Sequence, residues 1–227
     1  MRGGRASVGM GVSAALWAAV TFAPRDLARE KPPLPEEAAP QPPPGPEEGA
    51  LREVDARLAD GLPALEVEPR QRLAEAVVHE AEASHLDPLL VLAVIEVESS
   101  FETDALSGAG ARGLMQLREP TLRGELRKSG IEGNPLDPVT NVQAGVRYLR
   151  RLMNEFPGED LALMAYNAGP NRILGYLRAG EVPDRFHRYP RRVKAVLKRL
   201  RKEAYPMARL AAVRHPAEEP APRAFPD

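Results

Sequence analysis

The sequence predicts an all-α domain, on three observations. Two Asp-Pro pairs, at 87–88 and 137–138, each place a side-chain acceptor before a proline, the pattern that opens a helix. Apolar residues recur at helical spacing in the stretches that follow. No stretch alternates convincingly with the period of two that a half-buried strand requires.

The elements follow in order. A short helix is expected over Leu51–Leu58, with its attachment left open. The run from Pro69 to His85 carries Leu73, Val77 and Ala81 on one face. Asp87-Pro88 restarts the chain as a helix whose "LLVLAVIEV" is apolar all round, so it is expected to be central and buried. Asp137-Pro138 opens a helix with Val142, Val146, Leu149, Leu152 and Met153 along one side, and Pro157-Gly158 ends it. Glu159–Ala165, Asn171–Arg178 and a basic stretch, Arg191–Ala204, complete the helices. Loops are expected at Phe101–Gly113 and around Tyr166–Pro170.

The chain is longer than this domain. It has 227 residues, and its 24 prolines gather near the two ends. Residues 1–23 read as an export signal or signal anchor: Arg2 and Arg5 precede an apolar run of about 16 residues, short of the roughly 20 that span a bilayer. Residues 24–68 read as a Pro/Glu-rich linker containing the short helix. Residues 69–205 are the expected folded domain, and 206–227 a loose tail. Export implies the periplasm or cell envelope, with a membrane tether if the leader is retained.

Composition removes several classes of function. The formal net charge is −1, so no global field selects nucleic acid, and the absence of cysteine excludes a disulfide framework and thiolate metal sites. "GAGARG" at 108–113 has the dinucleotide-binding spacing, but it follows a helix and loop rather than a strand. His79 and His85 are six apart, whereas two zinc ligands on one helical face need a spacing of four. Neither cofactor nor metal is expected. Oligomeric state is left open.

One carboxylate stands out. Glu98 closes the buried helix in "VIEVESSF". Apolar surroundings and the negative end of the helix dipole both disfavour its charged form, which suits a group that gives up a proton near neutrality. Glu96 lies about 200° around the helix from it and cannot face the same cleft. Glu102 and Asp104 fall in a loop that spacing does not place. Ordinary glycosidases use two carboxyl groups, so a lone Glu98 cutting a sugar linkage would need help from its substrate.

Four motifs occur in order: "ESSF" at 98–101, "SGAGARGLMQL" at 107–117, "DPVTNVQAGVRYL" at 137–149 and "AYNAGP" at 165–170. Together they resemble the soluble-type lytic transglycosylases, whose lysozyme-like helical fold is related to that of goose-type lysozyme. The resemblance covers roughly residues 70–200. It implies a lyase acting on peptidoglycan glycan strands, in which Glu98 is the only acid and base and the product ends in a 1,6-anhydro ring. It implies that Ser107 lies near the catalytic centre and that Gly113 lets the backbone turn or approach substrate. Gln116 would line the cleft, donating and accepting through its amide, and Met115 would pack beneath the sugar or fill the core. Tyr166 would hydrogen-bond around the glutamate and sugar, Asn167 would fix the loop, and Tyr189 would orient the carboxylate. A murein hydrolase on the same fold and a non-catalytic peptidoglycan-binding module are the alternatives. The chain departs from the family where Glu-Thr often precedes the last tyrosine: Arg185 and Phe186 stand there, which puts glycan subsites in question.

Overall fold

The computed structural model describes residues 45–213 except 132, and side chains as far as position 204. The expected export signal, residues 24–44 of the expected linker and the end of the tail lie outside the described residues. The chain forms helices α1 (Pro46–Gly61), α2 (Val67–Ala83) and α3 (Pro88–Ser99), then a two-stranded hairpin of β1 (Ala111–Arg112) and β2 (Leu117–Arg118). Helices α4 (Glu119–Ser129), α5 (Pro138–Glu155), α6 (Glu159–Ala168) and α7 (Pro170–Arg178) follow, then a short 3-10 turn (Asp184–His187) and α8 (Arg188–Val213). The all-α architecture read from the sequence is therefore the observed one.

The Asp-Pro starts work by the expected chemistry. Asp87 Oδ1 accepts from the Leu89 amide at 2.8 Å. Asp137 Oδ2 accepts from the Thr140 amide at 2.9 Å and from its hydroxyl at 3.1 Å. Each aspartate thus satisfies a donor that the first turn leaves unpaired. Every residue from Leu90 to Ile95 is buried, so α3 is the central helix. It packs on α8 through the side of α8 that carries Val193, Leu197 and Leu200, while α2 packs on α1 and α5. Two buried carboxylates are matched across these contacts. Glu80 on α2 takes two hydrogen bonds from Arg147 on α5, both 2.7 Å, and Glu125 on α4 takes two from Arg151 on α5, at 2.8 and 3.1 Å. An unpaired charge at either place would be strongly destabilising, so these pairs hold the helices in one arrangement.

Several expectations need correction. The short helix expected at 51–58 begins at Pro46 and ends at Gly61, and it buries Val54 and Leu58 in the common core. The folded unit thus starts earlier than position 69. Its sequence hides this because α1 offers few apolar residues, and they match a face that α2 and α3 complete. Helix α4 was not anticipated, since it buries only Leu122, Glu125 and Leu126 and contains Gly124. The hairpin strands, two residues each, are too short to show alternation. Helix α6 runs on to Ala168, so Tyr166 and Asn167 stand on its last turn rather than in a loop. Helix α8 runs on to Val213, into the stretch assigned to the tail.

The burial of α1 is directly testable. Leu58→Ala should lower the unfolding free energy by about 2–5 kcal/mol, as core leucine truncations do, read from chemical denaturation. A loss within experimental error would remove α1 from the core.

Candidate active site

The site is built on the C-terminal end of α3. Glu98 lies in its last turn, and the chain then leaves through two residues with left-handed backbone, Ser100 (φ 52°) and Phe101 (φ 65°). Neither is glycine. Each such residue costs about 1–2 kcal/mol, so this turn persists only because its surroundings hold it.

Glu98 retains some exposed surface, yet burial pushes its carboxyl above the ordinary glutamate range. Two groups oppose that push. The Tyr189 hydroxyl on α8 donates to Glu98 Oε1 at 2.6 Å, and the Arg192 guanidinium one turn further on attracts the carboxylate. Burial outweighs both. Among the described residues no second carboxylate contributes to the environment of Glu98. Glu96 turns away to pair with Arg199 at 2.6 Å, while Glu102 and Asp104 are exposed. Tyr189 itself is buried, and burial together with the neighbouring Glu98 charge pushes its phenol well above the usual value, so it is present as a donor.

The second wall is the segment from Ala105 to Leu117. Its fold depends on Asn141 in α5, which the sequence reading did not single out. Asn141 is almost fully buried. Its Oδ1 accepts from the Met115 amide at 2.8 Å and its Nδ2 donates to the Arg112 carbonyl at 3.0 Å. Gly113 between them has φ 75°, and a Cβ there would lie 2.7 Å from the Asn141 amide group. Both its backbone angle and its closeness to Asn141 require glycine. The only hint in the sequence was an asparagine beside Val142 on the apolar side of α5.

The other expected site residues are placed as follows. The Ser107 Oγ accepts from the Ala111 amide at 3.0 Å, closing the turn into β1 and leaving its own hydrogen free to donate. Gln116 has φ 47°, and its Nε2 donates to the carbonyls of Ala105 (3.1 Å) and Gly113 (3.0 Å). Its amide hydrogens are thus spent within the loop, and it presents only an acceptor, not the expected donor and acceptor together. Met115 has no exposed surface, so its side chain fills the core rather than lying beneath a sugar. Its carbonyl accepts from the Tyr166 hydroxyl at 2.8 Å. Tyr166 is therefore bound to the loop, not to Glu98, although the Glu98 charge is close enough to help raise its phenol. Asn167 is exposed and makes no side-chain hydrogen bond among the described residues, so it does not fix the loop. The departure at 185–186 forms a compact cluster. Arg185 donates to the Tyr176 hydroxyl at 2.8 Å and stacks 4.7 Å from the Phe186 ring. No group of acidic or histidine side chains able to hold a metal occurs among the described residues.

The arrangement defines a class: a helical domain with a half-shielded carboxyl acid at a helix end, held by a phenol and walled by a glycine-containing loop. Residues 75–184 match the family described as "Transglycosylase SLT domain". The "Transglycosylase" of Enterobacteria phage PRD1 is 38% identical over 88 residues, which is 39% of this chain and 31% of that protein. The "Membrane-bound lytic murein transglycosylase C" of Yersinia enterocolitica is 33% identical over 108 residues, 41% of this chain and 30% of that one. Among solved structures, the lytic transglycosylase Slt of Pseudomonas aeruginosa, an inactive glutamate-to-glutamine mutant, superposes with a TM-score of 0.52 at 27% identity, over 66% of this chain and 30% of that chain. The 70 kDa soluble lytic transglycosylase of Escherichia coli superposes at 0.53 with 20% identity, over 69% of this chain and 30% of that chain, which shows the fold. This chain thus spans about a third of the length of the curated relatives it matches. The stretch 75–184 is thus similar to the Transglycosylase SLT domain, and the chain shares the fold of the soluble lytic transglycosylases.

Two outcomes test the electrostatics. Because the folded carboxyl holds its proton to higher pH than the unfolded one, Glu98 weakens the fold as pH rises from the ordinary glutamate range through the raised value. Glu98→Gln removes that dependence. Its melting temperature should match wild type below about pH 4 and exceed it at neutral pH. Tyr189→Phe removes a donor that favours the carboxylate, so the Glu98 titration midpoint, followed by carboxyl carbon NMR, should move upward. An unmoved midpoint would detach Tyr189 from Glu98.

Proposed function

We propose that the chain is a peptidoglycan lytic transglycosylase, cleaving the β-1,4 bond between N-acetylmuramic acid and N-acetylglucosamine with Glu98 as its single acid and base. One observation carries this reading most directly: Glu98 is raised by burial, bonded to Tyr189 and, among the described residues, accompanied by no second carboxylate. The names of the relatives and the glutamate-to-glutamine inactivation in the Pseudomonas aeruginosa neighbour support it.

The chemistry follows from these positions. Tyr189 occupies Oε1, so the acidic proton of neutral Glu98 sits on Oε2. That proton passes to the glycosidic oxygen as the bond to the muramic anomeric carbon breaks. The substrate's own N-acetyl oxygen bonds to that carbon and takes the part a second carboxylate would play. Tyr189 and Arg192 stabilise the carboxylate so formed. Glu98 then removes the proton of the C6 hydroxyl. The C6 oxygen closes on the anomeric carbon and releases the acetamido oxygen, and the glutamate is again protonated. No water is consumed, and the attacking group is already tethered to its target. Ser107, with a free hydroxyl hydrogen, and Gln116, with a free amide oxygen, supply one donor and one acceptor toward the sugars.

Activity on murein belongs outside the cytoplasm, where murein lies. The expected export signal at 1–23 accords with this. Among the described residues no helix is long and apolar enough to cross a membrane, so a tether would have to come from that leader.

Glu98→Gln should abolish soluble-fragment release from purified murein, by at least about 10³-fold, while circular dichroism stays unchanged. Wild-type fragments should carry muramic ends one water lighter than reducing ends by mass spectrometry. Reducing ends would make the chain a hydrolase. Murein binding without any fragments would make it a binding module.

A further inference from the structure

Helix α1 precedes the segment 75–184 that matches the SLT family, yet it reaches the turn that follows Glu98. Its last residue, Gly61, lies against the Phe101 ring: a Cβ on Gly61 would stand 2.6 Å from Cγ, 2.7 Å from Cδ2 and 3.0 Å from Cδ1 of Phe101. Those atoms are the root of the ring, not a flexible tip. Gly61 does not have the positive φ found at Gly113. Its missing side chain therefore serves close approach and not backbone freedom. The other side of this contact is the left-handed pair Ser100 and Phe101, three residues or fewer from Glu98.

Helix α1 is itself firmly placed. Val54 and Leu58 are in the core, Arg57 binds Glu203 of α8 at 2.8 Å, and Arg70 of α2 binds Asp55 at 2.8 Å. The helix end is thus a fixed surface, and Phe101 is seated on it. Two surface cavities, about 340 and about 320 Å³, are each lined by both Gly61 and Phe101. They leave space into which the ring would move if the contact were crowded.

We propose that Gly61 and Phe101 are positioning residues: the end of α1 clamps the Phe101 ring, and through it holds the strained turn that aims the Glu98 carboxyl. The clamp rests on the reading of Glu98 as the acid and base, but it is a property of the folded chain and can be measured without substrate. A purely structural role for Gly61 makes the opposite prediction. Alanine is intrinsically the better helix former, but its Cβ would crowd Phe101 here; a glycine that served packing alone would change stability and leave Glu98 undisturbed.

The experiment uses full-length protein carrying Gly61→Ala. The Glu98 carboxyl is titrated by carbon NMR, in the field of Tyr189, Arg192 and Tyr166, and kcat and KM are measured on murein fragments. The expected result is a shifted Glu98 midpoint and a kcat lowered about tenfold or more, with KM nearly unchanged, because displacement of a reacting group costs rate. An unmoved midpoint would overturn the clamp, whether or not the protein cleaves murein. Should Gly61→Ala not fold, Phe101→Leu decides by the same titration, since it empties the contact instead of crowding it. A moved midpoint supports the clamp and a wild-type midpoint overturns it.

Discussion

The hydrogen bond from Tyr189 to Glu98 joins the two ends of the site, and the rest of the arrangement serves to make it possible. Its donor lies at the start of α8 and its acceptor at the end of α3, 91 residues apart. The two helices are packed together by Val193, Leu197 and Leu200. That packing shields the carboxyl from water, which raises its proton affinity, while the phenol limits the rise and fixes which oxygen is free. Burial alone would give a group that seldom ionises. The phenol alone would hold the carboxyl below the ordinary glutamate range. On the proposed reading, the balance between them suits a group that gives up a proton and then takes one back.

The loop facing Glu98 is organised mainly through backbone groups. Asn141, Gly113, Tyr166 and the Met115 amide and carbonyl form a connected set of hydrogen bonds and one close approach. Several side chains that resemble family sugar contacts in fact spend their polar atoms here. Gln116 gives both amide hydrogens to the loop, and Ser107 accepts an amide from it. Among these side chains, the polar groups left without a partner are a Ser107 hydroxyl hydrogen and the Gln116 amide oxygen. A site with few charged contacts suits a neutral sugar bond, and it leaves orientation to the shape of the cleft.

The central helices were legible because their signals are local. Asp87-Pro88 and Asp137-Pro138 combine a cap with a fixed backbone angle, and "LLVLAVIEV" has no polar face to expose. Glu98 was legible because a carboxylate at the end of such a helix is in the wrong surroundings for its charge. The features that escaped are those decided by partners distant in sequence. Leu58 is core only because α2 and α3 cover it. Met115 is core rather than platform because α5 comes close behind it at Gly145. Asn141 reads as an ordinary helical asparagine until the loop 26 residues earlier arrives to use both ends of its amide. The direction of the Gln116 amide is set by loop carbonyls that no spacing rule can orient.

The central claim is that the departing muramic ring, and not water, captures the anomeric carbon after Glu98 gives up its proton. Digestion of purified murein in water enriched in heavy oxygen, followed by mass spectrometry of the released muropeptides, tests this most directly. The expected result is anhydro ends carrying no solvent oxygen. Heavy oxygen at the muramic anomeric position would show that water attacks, and would contradict the single-residue mechanism drawn from Glu98 and Tyr189.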